Sequence, residues 1–145
     1  MTTPDYDTDF YAWTQAQAAA VRAKDWAALD VAHLTEALET LGMNEKSAIS
    51  RQLQRLLAHL LKWRYQPTHR TPSWRRTIRQ ARDRIADLIE VSPSLHSYPA
   101  QRVPLAYRRA RRDAADETGL PLATFPESCP WPVAQVLDED FWPEG

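Results

Sequence analysis

Glycine is scarce in this chain: Gly42, Gly119 and Gly145 are the only three in 145 residues. No glycine-rich phosphate loop can be assembled from them, which excludes Walker-type and Rossmann nucleotide sites. Cysteine is scarcer still, with Cys129 alone. One thiol makes neither an internal disulfide nor a zinc cluster, in keeping with a reducing compartment. It stands between Ser128 and Pro130 with no neighbouring histidine or basic helix start, so an inert thiol is expected rather than a nucleophile. No segment approaches the ~20 apolar residues of a membrane span. The acidic start Met1-Thr2-Thr3-Pro4-Asp5 lacks the basic flank and apolar core of a leader. The expectation is a cytoplasmic protein with no membrane partner.

What the chain does hold is apolar and aromatic. Hydrophobic residues make up 43% and six are Trp, enough for one domain with a substantial core. A single helical domain over residues 1–145 is therefore expected, with 1–8 flexible and 120–145 an irregular tail.

The sequence is organised around Asn44–Trp74. Ile49, Leu53, Leu56, Leu57, Leu60, Leu61 and Trp63 recur at three- and four-residue spacing, one broad face of a helix. Asn44 suits an N-cap and Pro67 forbids continuation, which predicts a helix over 45–65. Upstream, Thr8 or Asp7 can cap a helix over 9–24 with Phe10, Trp13, Ala16, Ala20 and Val21 as its apolar stripe. Asp25 can cap a second, in which Ala27, Val31, Leu34, Leu38 and Leu41 form a 4-3-4-3 seam closed by Gly42.

Downstream, Thr71-Pro72 reads as N-cap and first helical position of a helix carrying Trp74, Ile78, Ala81, Ile85 and Leu88 to about Glu90. Pro99 and Pro104 predict a kink or a late start near Gln101 for the next helix, which Gly119 ends. The tail holds Phe125, Pro126, Pro130, Trp131, Pro132, Phe141, Trp142 and Pro143, and is expected to pack on the bundle with one short helix over 132–137. The fold class is all-α: a bundle of four to five amphipathic helices with a proline- and aromatic-rich C-terminal tail packed on it.

Several of these segments carry a resemblance. Asp9-Phe10-Tyr11-Ala12-Trp13, Leu34 to Gly42, His59-Leu60-Leu61-Lys62-Trp63 through Gln66-Pro67, Ser92-Pro93-Ser94-Leu95, Glu117-Thr118-Gly119-Leu120, Phe125-Pro126 and Phe141-Trp142-Pro143 together resemble a bacterial family, abundant in cyanobacteria, catalogued as domain of unknown function twenty-nine. The resemblance covers nearly the whole chain and implies an all-helical single domain. It brings no catalytic or binding role to any position. Pro99 and Pro104 depart from it, in a stretch that looks like unbroken helix in many relatives.

Charge is unevenly placed. Residues 46–112 hold sixteen Lys and Arg against three acids, a formal +13, while 1–45 carry −6 and 113–145 carry −8. The default expectation is that the acidic ends lie beside the basic helices and cancel their field. The functional alternative is a polyanion or protein partner on a basic, aromatic-rimmed surface built from Lys62, Arg64, His69, Arg70, Arg75, Arg79 and Arg82, with Trp63, Tyr65 and Trp74 available to stack on bases. His33 and Glu36 share one side of a helix and His59 sits on another, a sparse metal set beside the several inward ligands of di-metal bundles.

The sequence assigns no activity. Its leading reading is a non-enzymatic interaction module using the surface around 62–82, with no cofactor. The alternatives are a metal-assisted enzyme at His33, Glu36 and His59, and a structural protein that self-associates through its aromatics into a homo-oligomer.

Overall fold

A computed structural model describes residues 3–144, so Met1 and Thr2 of the stretch expected to be flexible lie outside the described residues. Among the described residues five α-helices follow one another: α1 (Phe10–Arg22), α2 (Val31–Tyr65), α3 (Pro72–Val91), α4 (Tyr98–Thr118) and α5 (Val133–Leu137). No strand occurs among the described residues, and the protein is an all-α bundle. The chain divides into two compact units, Met1–Asn44 and Glu45–Gly145.

In the first unit α1 is capped by Asp9, whose side chain accepts from the Ala12 N–H at 3.1 Å, rather than by Thr8 or Asp7. Asp5 lies one turn ahead, and its carbonyl accepts from the Asp9 N–H. The helix ends on a Schellman motif: Lys24, at φ 58°, donates to the Val21 carbonyl, and the Asp25 N–H reaches the Ala20 carbonyl at 2.9 Å. A lysine thus takes the left-handed place usual for glycine.

Asp25 does not start the second helix. It precedes a single 3₁₀ turn, Trp26–Ala28, without capping it, and Leu29 is extended. The start is moved to Asp30, whose carboxylate accepts from the His33 N–H and whose carbonyl accepts from the Leu34 N–H. Ala27 consequently lies exposed in the turn, off any helical seam.

The expected break at Gly42 and Asn44 is also absent: α2 runs unbroken for 35 residues. A glycine stops a helix by turning left-handed, and Gly119 is the glycine that does so here. Breaking at Gly42 would orphan four carbonyls and four N–H groups, whereas keeping glycine in a helix costs only about 1 kcal/mol. A methyl at Gly42 meets nothing within 4 Å. Gly42→Ala is therefore expected to raise stability by about 0.5–1 kcal/mol in urea unfolding; a loss of stability would mean that α2 is not helical there.

The second unit holds the main core. Ile49, Leu53, Leu56, Leu57, Leu60 and Leu61 of α2 meet Ile78, Ala81, Ile85 and Leu88 of α3 and Ala106, Tyr107, Ala110 and Ala114 of α4. Alanine on α4 lets backbones approach closely. Thr71 caps α3 as expected, accepting from the Trp74 N–H with Pro72 in the first turn. α4 begins at Tyr98, ahead of the expected Gln101, because Pro99 falls in the first turn where no N–H is needed. Pro104 lies inside the helix; it deprives the Ala100 carbonyl of its usual donor, and Ala100 is exposed, so water can serve instead. Gly119, at φ 74°, ends α4.

The tail packs onto this unit. Phe125 and Val136 are buried in the core, Trp142 packs against Trp63 with ring centroids 4.8 Å apart and planes tilted by 47°, and the Tyr107 hydroxyl donates to the Pro126 carbonyl at 2.5 Å. The short helix appears as α5, with Pro132 in the N-cap position.

Candidate docking groove and the placement of the charged residues

The apolar seam of the first unit does not become core. Trp13, Gln17 and Ala20 of α1 are buried, but Leu38 and Leu41 are 66% and 63% exposed and Phe10 is 52% exposed. Val21, Trp26, Val31 and Met43 are exposed as well. Phe10, Trp13, Ala18 and Val21 form one wall of an open groove of about 540 Å³, and Leu34, Ala37, Leu38 and Leu41 the other. Tyr6 lines it too, stacked on His33 at 4.3 Å and edge-on to Trp13 at 4.8 Å.

Beside Tyr6, the polar groups satisfy one another. Asp30 accepts from the Trp13 indole N–H at 3.1 Å and pairs with His33 Nδ1 at 2.7 Å, while the Gln17 side-chain oxygen accepts from the Asp30 N–H at 2.8 Å. This network ties the start of α2 to α1 by polar contacts and leaves the apolar side chains beyond it open. The hydrogen bond to Asp30 raises the His33 imidazole above its ordinary value, with the charges of Asp30, Asp7 and Glu36 adding to it. The same bond holds the Asp30 carboxyl below the usual carboxylate range. Partial burial raises the Tyr6 phenol, and the negative charges of Glu36 and Asp7 raise it further.

His59, in the second unit, is shifted the other way. Burial lowers it, and its Nδ1 donates to the Arg55 carbonyl at 2.9 Å. The signs are opposite in their consequences. The Asp30–His33 pair contributes fully between about pH 4 and 6.5, fading as pH rises through the elevated His33 value or falls through the depressed Asp30 value. His59 takes its proton at a lower pH in the fold than in the unfolded chain, so stability begins to drop as pH falls through about 6.5 and goes on dropping toward the lowered folded value. An NMR titration of the imidazole protons should place the His33 midpoint above, and the His59 midpoint below, that of an exposed histidine. Asp30→Asn should bring the His33 midpoint down and leave that of His59 unmoved.

The candidate basic surface divides in two. Lys62 is only 7% exposed: it pairs with Glu117 at 2.6 Å and lies over the Trp74 ring. Arg70 donates to the Trp63 and Pro143 carbonyls. Arg82, 4% exposed, donates to the Val136 and Phe141 carbonyls at 2.8 Å each. Its remaining buried nitrogen, Nη1, has no hydrogen-bond partner, and the guanidinium lies 5.6 Å from the Trp142 ring centre, whose π face offers a partial substitute. Burial lowers the Arg82 pKa against the opposing charge of Asp138.

Arg64, Arg75, Arg79 and His69 remain at least partly accessible. Arg64 lies over Tyr65 and Arg75 over Trp63, while Arg79 lines a cavity of about 270 Å³ with Arg82, Asp83, Glu139 and Asp140. Two features missed in the sequence stand out. Arginines hold the tail through its carbonyls, as Arg111 also does at Phe125. The seam of the second predicted helix is surface. The first was foreshadowed by a tail whose prolines supply carbonyls but no N–H groups; the second carried no sequence signal, since an exposed seam and a buried one share a periodicity.

His33 and Glu36 belong to the first unit and His59 to the second. Among the described residues, no three His, Cys, Asp or Glu side chains converge as a metal site would require. Burial raises the Cys129 thiol, whose Sγ contacts the Trp131 carbonyl at 3.4 Å. No helix among the described residues is long and apolar enough to cross a membrane.

No curated protein and no solved structure is significantly similar to the chain. A family model does match, over residues 6–142, from the Tyr6 that lines the groove to the Trp142 that anchors the tail. The chain therefore belongs to the family described as Domain of unknown function DUF29.

Proposed function

We propose that the protein acts by binding, as an interaction module whose partner docks in the apolar groove of the first unit. The observation that carries this reading is the exposure of Leu38 and Leu41 beside Phe10 on a regular helical seam. Apolar patches of this kind mark interaction surfaces on proteins that bury their other seams well, as the second unit does.

The polyanion reading around residues 62–82 has weaker support. Lys62, Arg70 and Arg82 are engaged within the fold, and Arg79 shares its cavity with tail carboxylates. Arg64, His69 and Arg75 stay available to a negatively charged partner. A binding role also suits the chemistry near the groove, where Asp30, His33, Trp13 and Gln17 are already paired with one another. A cytoplasmic setting accords with the single cysteine.

The test uses Nile red, a neutral dye that brightens in apolar surroundings. The native chain should enhance its emission, and Leu38→Gln with Leu41→Gln should reduce that enhancement at least about threefold while far-ultraviolet circular dichroism stays unchanged. An equal enhancement by the native and doubly substituted chains would remove the groove from consideration.

A further inference from the structure

Resting on that reading, we infer that the groove's occupant is a basic amphipathic helix of a partner protein. The shape argues for a helix. Leu34, Leu38 and Leu41 form a ridge with four- and three-residue steps, the pattern into which the side-chain ridges of another helix interdigitate. The groove offers few directional groups to orient a small polar ligand: the Gln17 side-chain oxygen is already taken by the Asp30 N–H.

Charge argues for a basic partner. The first unit, 1–44, carries seven Asp and Glu against Arg22 and Lys24 alone. Tyr6 lines the groove with His33 stacked on it, and the charges of Asp7 and Glu36 reach both rings, raising their pKa values. A helix with lysines or arginines flanking its apolar stripe places cations beside these acids while its leucines cover Leu38 and Leu41.

A second copy fits less well. A two-fold dimer through this groove sets the same acidic surface against itself, and like charges facing each other across an interface oppose association. The basic helices α3 and α4 of another copy have their apolar faces committed to their own core.

The test is fluorescence polarisation with the full chain and two labelled probes of identical leucine pattern, an 18-residue Leu/Lys amphipathic peptide and its Leu/Glu counterpart. The Leu/Lys peptide should bind at least tenfold more tightly. Leu38→Gln with Leu41→Gln should weaken it at least tenfold although every charge is kept, and Asp7→Asn with Glu36→Gln should weaken it at least threefold. Equal binding of both peptides, lost in the leucine variant, would overturn the inference about charge and leave the groove as a docking site. Binding of the Leu/Lys peptide that survives the leucine variant would show charge attraction alone and overturn both. A dimer in sedimentation that the leucine variant dissociates would assign the groove to a second copy instead.

Discussion

Replacing Arg82 with alanine is expected to cost about 3–5 kcal/mol and to loosen the tail from residue 133 onward. The guanidinium donates to the carbonyls of Val136 and Phe141 at 2.8 Å each, and hydrogen bonds to a charged group contribute about 1.5–3 kcal/mol apiece. Both carbonyls lose their donor in the variant, and the Trp142 ring loses the cation 5.6 Å away. Urea unfolding measures the first effect. Faster amide exchange over 133–142 and chymotryptic cleavage near Phe141 and Trp142 measure the second. Arg82→Lys should recover little, because one ammonium cannot reproduce a fork that spans two carbonyls. A stability loss under about 1 kcal/mol with unchanged exchange in the tail would mean that the aromatic contacts alone hold it.

Leu60→Ala and Leu41→Ala are the same change on the same helix, and they are expected to differ several-fold in effect. Leu60 is fully buried among α2, α3 and α4, so its truncation removes transfer free energy and leaves a cavity, about 2–5 kcal/mol together. Leu41 is exposed, and its truncation should stay within about 0.5 kcal/mol. Comparing the two urea midpoints checks this directly. A cost at Leu41 approaching that at Leu60 would show that something already covers the groove in the isolated chain, and the docking proposal would then need another surface. The pair thus separates a core leucine from an exposed one that the sequence presents identically.

Part of the basic segment is committed within the fold. Residues 46–112 carry the large positive excess, and an arginine-rich face next to tryptophans suggests polyanion recognition. Arginine also has five donors and a flat, weakly hydrated head, which suits it to bind carbonyls inside a protein. Arg70, Arg82 and Arg111 do this along a tail whose proline residues supply carbonyls but no N–H groups. Lys62, itself buried, is paired with the half-exposed Glu117. Part of the charge asymmetry is therefore a consequence of how the tail is fastened.

Local signals were legible where the backbone itself imposes them. Thr71-Pro72 starts α3 because proline needs no partner in a first turn, and Gly119 ends α4 because, lacking a Cβ, it takes φ 74° without strain. The leucines from Ile49 to Leu61 announced the central helix, and the tail's Phe125 and Trp142 announced its docking. Gly42 and Asn44 misled because helix-stopping residues act only when the neighbouring turns gain by stopping, and within α2 they do not. Asp25 misled because Asp30, five residues on, had His33 and Trp13 to bind as well.

By itself, then, the sequence determined the all-helical class, the identity of the buried leucines from Ile49 onward, and the ends set by proline and by left-handed glycine. These depend on neighbours within a turn or two. Only the tertiary structure decided that Leu38 and Leu41 face outward, that Arg82 is buried, and that α2 is continuous. A helical period specifies which residues share a face and says nothing of what covers it. Coverage is set by segments far away in the chain: the tail seals the α3 face through Arg82, whereas α1, held to Asp30 by Trp13 and Gln17, leaves the leucine ridge of α2 open.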